Sequence, residues 1–470
     1  MPVSIADRKS MRAQGSRWPA WAAVLVAACV LCYQLMFPPR VGLANNGDFE
    51  KIAALFNIHA VGGEYQFANL KYPINAKYHW DSSHYSSETL LTAVAAGLNR
   101  VLGNPREFDM RWMGAVHGFL FLLAIYLLQP LLHGKSRLLV NAGVIVVFAD
   151  YMYTCQFNTF YMDAAAYVFL LLAIVLFLRA AKWHRWRDSI ALLASSLLLV
   201  LSKPQHAILG IWIALLFAFF GAALWPRHGR ALSYLSAALI AAAVAISPRL
   251  APLDYGAHGY YTVIFFEVLP HSSEIGRDLK ALGLDASYKQ FIGTNAYSPG
   301  SGMMDARFRE EFMRRISYAR LGLFFMTHPR QTWLALDVSL GQAGLGQPPM
   351  GNFDPSGGFP AGMGTFTFAL WSRMKSAAFY LHGMRYLFWW ILVSAFLLMI
   401  ATVKRDLVAP IFLPATYSLC GMAITAMLVA SLADAVDQTR HHVISNALLD
   451  LELLCGIALV AIARRAPKLE

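Results

Sequence analysis

Long apolar stretches separated by short polar connections dominate the chain. A helix needs about 20 apolar residues to cross a bilayer. Ten stretches are candidates for such helices: 18–37, 111–133, 138–155, 161–180, 189–203, 205–224, 231–248, 384–402, 408–431 and 443–463. The pattern therefore predicts an all-α polytopic membrane protein with about ten transmembrane helices, among which 189–203 is the weakest.

Two long segments without a spanning stretch interrupt this pattern. The predicted organisation is a cytoplasmic tail (1–17), an N-terminal bundle (18–248) that includes the first long segment (38–110), the second long segment (249–383) and C-terminal helices (384–470). Neither long segment carries a glycine fingerprint for nucleotides, so a nucleotide-sugar donor is not indicated.

The long segments contain predicted elements of their own. In the first, we expect a helix over 48–59 that is capped by Asp48, and a helix over 87–102 that lies on the membrane surface. In the second, we expect an amphipathic helix over 305–327. The glycine- and proline-rich stretch 341–364 carries scattered apolar residues, which favours a lid that packs on another part of the protein.

Composition and charge support a membrane protein and give its orientation. Hydrophobic residues make up 57% of the chain and charged residues 14%, against about 25% charged in soluble domains. The net charge of +12 comes largely from alternate short connections, at 8–17, 135–137, 179–187, 227–230, 404–405 and 464–468. The positive-inside rule then places both termini in the cytoplasm. Nucleic acid is not an expected partner.

Ionisable and polar residues gather at the opposite, extracytoplasmic side. Such groups at membrane depth cost roughly 2.5–3.5 kcal/mol each and are functional candidates by default. The set comprises Asp48, Asp163, Lys203, Gln205, His206, Arg249, His258, Asp434, Asp437, Arg440, His441 and His442. Loop charge and the distribution of polar residues therefore agree on one functional side.

Two acids in this set are candidate catalytic residues. Asp48 follows the first span in the turn Asn45-Asn46-Gly47 and suits a general base or a ligand of a divalent metal such as Mg²⁺ or Mn²⁺. Asp163 opens the fourth span. The alternatives are a helix cap for Asp48 and a first-turn acid that stabilises the helix dipole for Asp163.

A second group suits a phosphate. In Lys203-Pro204-Gln205-His206 a proline breaks the apolar run and presents an ammonium, an amide and an imidazole together. Arg440 and His441 could complete a phosphate clamp from the connection before the last span. The alternatives are hydrated polar turns. A metal site at His441 and His442 is not predicted, because adjacent side chains diverge on a helix.

Further residues are candidates for contact with a sugar or an acceptor. Glu267 lies in an aromatic run, and aromatic rings stack on sugar faces; a surface amphipathic element is the alternative. His258, Asn46 and Tyr161 are predicted to join it. The first long segment adds His79, Trp80 and Asp81.

The chain resembles the GT-C superfamily of integral membrane glycosyltransferases, and within it a bacterial branch of WsfD-like proteins. The resemblance runs from about residue 40 to 455. Its motifs are Asn45–Phe49 (NNGDF), Phe157–Asp163 (FNTFYMD), Ser202–His206 (SKPQH) and Phe266–Ser272 (FEVLPHS). It departs from relatives with a paired-acid signature, because Asp48 is followed by Phe49 and Glu50, which puts a two-acid metal site in doubt.

The resemblance implies an activity and a set of roles. It implies an inverting hexosyltransferase in a bacterial inner membrane that moves a sugar from a polyprenyl-phosphate donor to a cell-envelope glycan or lipid-linked acceptor. Asp48 would be the catalytic base or a metal-linked carboxylate, with Asp163 as a second acid. Lys203, His206 and Arg440 would hold the lipid phosphate. A flippase for lipid-linked saccharides and a non-catalytic scaffold remain alternatives.

Overall fold

The fold is built almost entirely of helices. The computed structural model describes residues 18–60, 65–76, 83–252, 255–346, 348–403 and 410–463. The predicted tail 1–17, the basic residues at 404–405 and 464–468, and His79, Trp80 and Asp81 lie outside the described residues.

Short connections join the helices over 111–246, whereas the first long segment precedes these helices and a large insertion lies in the second half of the chain. The helices of the first half are α1 (Trp18–Leu35), α2 (Glu50–Ala53), α3 (Ser87–Leu102), α4 (Arg111–Leu128), α5 (Gly134–Phe148), α6 (Tyr151–Thr154), α7 (Met162–Trp183), α8 (Trp186–Val200), α9 (Pro204–Ala207), α10 (Gly210–Phe220) and α11 (Gly229–Ile246). The second half contains α12 (Tyr255–Thr262), α13 (Ile275–Ala281), α14 (Ala306–Arg315), α15 (Tyr318–Thr327), α16 (Pro329–Ala343), α17 (Leu370–Phe379), α18 (Gly383–Val403), α19 (Phe412–Leu432), α20 (Gln438–His441) and α21 (Val443–Ala463).

These helices confirm the all-α polytopic class. Within the described residues, seven helical stretches are long and apolar enough to cross a membrane. Two shorter apolar helices, Trp21–Leu35 and Arg137–Phe148, occupy the first and third predicted spans. The weak stretch 189–203 coincides with α8 as far as Val200, and α8 belongs to neither group. The chain is thus a multi-pass membrane protein.

Helix α3 packs against α4 and α7. Its range matches the predicted 87–102, and the Ser86 hydroxyl caps it by accepting from the Glu88 amide. Buried Glu88 accepts a hydrogen bond from the Ala165 amide (3.1 Å) in the first turn of α7 and contacts the His117 Nε2 atom of α4 (3.2 Å). This carboxylate therefore fixes the start of α7, where Asp163 lies.

The predicted helix over 48–59 is wrong in its extent and in its cap. Only α2 and a 3-10 turn over Ala54–Phe56 form, and the chain leaves them at Asn57 in the left-handed region (φ 58°). Phe49 occupies the N-cap position without a side-chain cap. Asp48 is free for other partners because its carboxylate points to cations rather than to the helix amides.

A small two-stranded antiparallel sheet, which the sequence pattern did not indicate, joins the two ends of the chain segment that contains α3. Strands β1 (Lys71–Pro73) and β2 (Glu107–Asp109) pair antiparallel, with Tyr72 opposite Phe108. Both of these rings are fully buried in the main core. The sheet thereby packs the first long segment against the bundle.

The second long segment has its own hydrophobic core. Rings and aliphatic side chains from 257–335 form this core, separate from that of the bundle. The predicted helix 305–327 is two helices, α14 and α15, because Ile316 is extended and Ser317 caps a new helix by accepting from the Arg320 amide. A break there lets α15 turn its apolar face into the core.

The described part of the glycine-rich stretch 341–364 packs against the chain that leads to Asp48. The Gly42 amide donates to the Asn352 carbonyl (3.0 Å), and the Ala44 amide donates to the Gly351 carbonyl (2.9 Å). The Asn352 side chain returns a bond to the Gly42 carbonyl (2.8 Å). The stretch is thus a strap, defined here as 350–363, that holds residues 42–46 in place.

Substitution of Gly351 is expected to disturb this strap. A Cβ atom at Gly351 would overlap the Gln66 carbonyl oxygen, which is backbone and cannot rotate away. We expect Gly351→Ala to lower the free energy of unfolding by about 1–3 kcal/mol. Thermal unfolding in detergent measures this, with Gly276→Ala as the control because no atom lies within 4 Å of that Cβ position. Equal unfolding midpoints for the two variants would contradict the prediction.

Candidate active site

Charged side chains from four distant parts of the chain meet at one end of the bundle. They come from the turn after α1, the first turn of α7, the turn into α9 and the helix α20. The members in direct contact are Asp48, Asp163, Lys203, His206 and Arg440. We call these five residues the ion-pair cluster.

Asp163 is the buried centre of the cluster. The Lys203 Nζ atom lies 3.2 Å from both of its carboxylate oxygens, and the His206 Nε2 atom lies 2.9 Å from Oδ1. Arg440 Nη1 donates to Oδ2 (3.3 Å). The Asp163 side chain is only 1% exposed. Asp163 is therefore placed to organise the surrounding cations rather than to meet a substrate.

Arg440 joins this buried centre to the surface. Its Nη2 atom donates to Asp48 Oδ2 at 2.9 Å, while Nη1 binds Asp163. The guanidinium stacks over the Tyr161 ring with its carbon 4.4 Å from the ring centre. The Tyr161 hydroxyl donates to the Ala44 carbonyl (2.7 Å). Tyr161 thus packs against Arg440 and holds its guanidinium in place. The Tyr161 ring cannot reach a sugar, because the residue is only 1% exposed.

Asp48 is the accessible acid of the cluster. Its side chain is 20% exposed, and Lys51 Nζ donates to its Oδ1 atom at 2.6 Å. Burial alone would raise the pKa of Asp48, but the Lys51 and Arg440 cations outweigh that effect and hold the pKa well below its usual range. Asp48 is therefore a carboxylate at every physiological pH.

The turn that carries Asp48 is fixed by two asparagines. The Asn45 Oδ1 atom accepts from the amides of Gly47 (2.8 Å) and Phe49 (3.2 Å). The Asn46 Oδ1 atom accepts from the Asp48 amide (3.1 Å), and its Nδ2 atom donates to Asp437. Gly47 takes a positive φ of 98°, which glycine adopts without strain. The motif NNGD is thus a rigid mount for one carboxylate.

The surroundings of the cluster shift other ionisable groups. Burial lowers the pKa of Lys203 despite the neighbouring Asp163 carboxylate. Burial raises the pKa of Asp434 to about 6, against the backbone hydrogen bonds from Val436 and Ala435. Burial and the nearby Lys203 and Arg440 cations lower the pKa of His441 well below its usual value, so its imidazole is neutral.

The remaining predicted site residues fall into two groups. Gln205 donates to the His441 carbonyl (3.3 Å), and the His441 ring lies 3.4 Å from Arg440 Nη2, so both border the cluster. The His258 ring stacks on Tyr297, near the same end. Glu267 is instead buried in a π-helical turn over Val263–Val268 beside the second core, where burial raises its pKa. Phe265 of the aromatic run packs on the rings of the second core, whereas Phe266 is exposed.

The sequence did not indicate the roles of two residues that border the cluster. Lys51 is the accessible cation beside Asp48, with a side chain that is 23% exposed and an ammonium 5.3 Å from the centre of the Tyr255 ring. Its position three residues after Asp48 in a helix was the available signal. Asp437 was noticed only as one acid among several. It takes a left-handed backbone conformation (φ 54°) and binds Asn46.

A divalent metal does not suit the cluster. The oxygens of Asp48 and Asp163 already face Lys51, Lys203, Arg440 and His206, and these cationic and donor groups would repel a metal ion. Over the described ranges, no three His, Cys, Asp or Glu side chains are grouped to hold a metal. The paired-acid departure in the first segment agrees with this donor set.

Fold and site together define a polytopic helical membrane protein with an ion-pair cluster at one end of its helices. A family model described as the YfdI N-terminal transmembrane domain matches residues 8–470. The chain belongs to this family. No curated protein and no solved structure matches the chain. The narrower WsfD-like branch stays a prediction.

Proposed function

We propose that the protein is an inverting glycosyltransferase that takes a hexose from a polyprenyl-phosphate donor and transfers it to a cell-envelope glycan or lipid-linked acceptor. The YfdI family is associated with GT-C-like membrane glycosyltransferases, which supports the reaction class. The single observation that carries the proposal is an accessible carboxylate, Asp48, flanked by Lys51 and Arg440 at the end of a membrane bundle. The extracytoplasmic, inner-membrane location rests on loop charge.

The arrangement suits attack by a hydroxyl on a sugar with a phosphate leaving group. The acceptor oxygen forms a bond to the anomeric carbon as the bond from that carbon to the phosphate oxygen breaks. Asp48 takes the hydroxyl proton, and the lipid phosphate leaves as a stable anion. Since no proton is needed by the leaving group, a second acid is not required. Stabilisation of the departing phosphate by cations is the largest expected electrostatic contribution.

Exposure decides which cation meets that phosphate first. Lys203 and Arg440 are 4% and 3% exposed and each already binds carboxylates. Lys51 is 23% exposed and has Asp48 as its hydrogen-bond partner, which leaves ammonium protons for an anion. A phosphate that draws Lys51 away from Asp48 also weakens the electrostatic interaction that lowers the pKa of Asp48. Donor binding would thereby make Asp48 a better base.

Lys51→Gln is expected to weaken donor binding while the fold stays intact. Loss of a charge-assisted bond worth about 1.5–3 kcal/mol predicts a rise in KM for the donor of roughly 10- to 150-fold. Transfer kinetics with varied donor concentration measure this. Lys71→Gln is the matched control, because Lys71 is an exposed lysine on β1 that pairs with Glu107. A KM within twofold of wild type for Lys51→Gln would remove the phosphate role.

The test of the proposed function is direct transfer by purified protein. Radiolabelled polyprenyl-phospho-hexoses are incubated with an extract of lipid-linked glycans, with and without EDTA. We expect label to pass from the donor lipid to the glycan fraction, and EDTA to leave the rate unchanged. Sensitivity to EDTA would restore a metal to the mechanism. Absence of transfer with every hexose donor would reject the glycosyltransferase.

A flippase for lipid-linked saccharides is the second candidate. Buried polar groups on α21 favour it, because Lys375 binds Asp450 (3.1 Å) and Ser394 binds Glu452 (2.6 Å) well beyond the ion-pair cluster. The same purified protein in vesicles distinguishes the two functions. Movement of labelled lipid to the other leaflet without sugar transfer would favour the flippase.

A further inference from the structure

Two exposed tyrosines stand beside the accessible acid. Tyr65 is 39% exposed and Tyr297 is 65% exposed, although both carry large aromatic rings. Neither is used by the proposed proton transfer or by the phosphate contact. Large exposed rings next to an active carboxylate call for a ligand that covers them.

Tyr65 is held in a strained conformation that fixes its place. Its amide donates to the Asn45 carbonyl (3.3 Å), three residues before Asp48, and its carbonyl accepts from the Gly351 amide of the strap (2.8 Å). Its φ of 53° lies in the left-handed region, which is costly for a residue with a bulky side chain. The structure thus maintains a strained tyrosine at the edge of the Asp48 turn, and such strain concentrates at functional positions.

Tyr297 belongs to the second long segment. Its ring stacks on His258 of α12, with ring centres 5.6 Å apart and planes 18° apart. Helix α12 touches the connection before α20, since a Cβ atom at Gly259 would lie 2.8 Å from the Ala433 carbonyl oxygen. The next residue, Asp434, has a side chain that is 34% exposed. Tyr297 and Asp434 therefore lie in the same region of the surface.

The same carboxylates act electrostatically on the hydroxyls of both tyrosines. Burial raises the pKa of Tyr65 to about 12, and the carboxylates of Asp437 and Asp48 add to that rise. Desolvation of the Tyr297 hydroxyl by the surrounding protein, followed by the Asp48 and Asp434 carboxylates, raises the pKa of Tyr297 as well. Two neutral phenols thus share one set of carboxylates.

We infer that Tyr65 and Tyr297 form the walls of a pyranose-binding subsite next to Asp48, with Asp434 as the acceptor for a sugar hydroxyl. Aromatic faces pack on the apolar C–H face of a pyranose, while carboxylates bind its hydroxyl groups. This inference rests on the proposed function and deepens it by naming where a sugar lies. The sugar is that of the donor or that of the acceptor, which share this chemistry.

Binding of matched lipids tests the subsite. Intrinsic tryptophan fluorescence of the full protein is titrated with polyprenyl phosphate, with the same lipid carrying glucose, galactose or mannose, and with the extracted lipid-linked glycan. We expect Tyr65→Ala and Tyr297→Ala each to weaken a sugar-bearing ligand about tenfold, with sugar-free lipid unchanged within twofold. Tyr65→Phe and Tyr297→Phe should keep most of the affinity. Tyr234→Ala, at an exposed tyrosine on α11, is the control.

The two sources of sugar give different results. A loss confined to the hexosyl lipid assigns the subsite to the donor, and a loss confined to the glycan assigns it to the acceptor. The subsite is overturned if Tyr65→Ala and Tyr297→Ala both bind the hexosyl lipid and the glycan as tightly as wild type does. It is also overturned if the wild-type protein binds the bare lipid and its sugar-bearing forms equally. Binding of sugar-bearing ligands by wild type without any transfer would instead reject the proposed function while the subsite stands.

Discussion

Asp48→Asn is expected to reduce sugar transfer by about 10²- to 10⁴-fold, the range that a positioned general base supplies. The amide keeps the size of the side chain and an oxygen for the Arg440 bond, but it cannot accept the acceptor proton. The rate constant at saturating donor should fall, whereas KM for the donor should change little. Initial rates with purified protein in detergent measure both constants.

Two comparisons keep this result interpretable. Asp285→Asn removes a carboxylate that pairs with Arg315 (2.9 Å) in the second long segment, and we expect it to retain wild-type activity. The unfolding midpoint of Asp48→Asn should stay close to wild type, because the side chain is partly exposed and Arg440 keeps its bond to Asp163. Activity of Asp48→Asn above a tenth of wild type would exclude Asp48 as the base.

The architecture could be predicted from sequence because apolar periodicity is a local signal. A span such as Met162–Trp183 is visible in any window of its own length. Loop charge also places Asp48, Asp163, Lys203 and Arg440 on one side, and the structure brings them into contact. That grouping follows from topology alone, since alternate connections of a helical bundle share an end.

The partners of each side chain could not be predicted in the same way. Asp48 is equally suited to cap a helix or to bind a cation, and only the arrival of Arg440 from 392 positions away decides between them. For Glu267 the sequence could not distinguish two interpretations, because an aromatic run that binds a sugar and one that packs a core have the same composition. The strap over Gly42 and Ala44 depends on backbone groups, which carry no residue-specific signal.

The division of roles between the two acids follows from their exposure. Asp163 is enclosed by Lys203, His206 and Arg440, whereas Asp48 reaches the surface. A buried carboxylate that neutralises several cations fixes their positions, and the exposed one is left for chemistry. The sequence offered two roles for Asp163, a catalytic acid or a first-turn acid of a helix. The structure adds a third role, in which Asp163 anchors the cations of the cluster.

The main expected effect of Asp163→Ala is therefore a lower free energy of unfolding, rather than a specific loss of catalysis. Removal of this carboxylate leaves Lys203 and Arg440 buried with fewer counter-charges, and breaking such a buried pair costs about 3–5 kcal/mol. Asp48→Ala should cost less, because its cation Lys51 can turn to solvent. Thermal unfolding of the purified variants, followed by tryptophan fluorescence, gives the comparison.

A double-mutant cycle separates lost charge pairing from lost packing. Asp163→Asn keeps the shape of the side chain but not its charge, and Lys203→Met removes the cation that lies 3.2 Å from both carboxylate oxygens. If Asp163 serves mainly to neutralise Lys203, the double variant should be more stable than the sum of the two single losses predicts. Strictly additive losses would mean that the two charges do not stabilise each other. Asp163 would then be an acid with a role beyond the anchor, and its part in transfer would be measured next to that of Asp48.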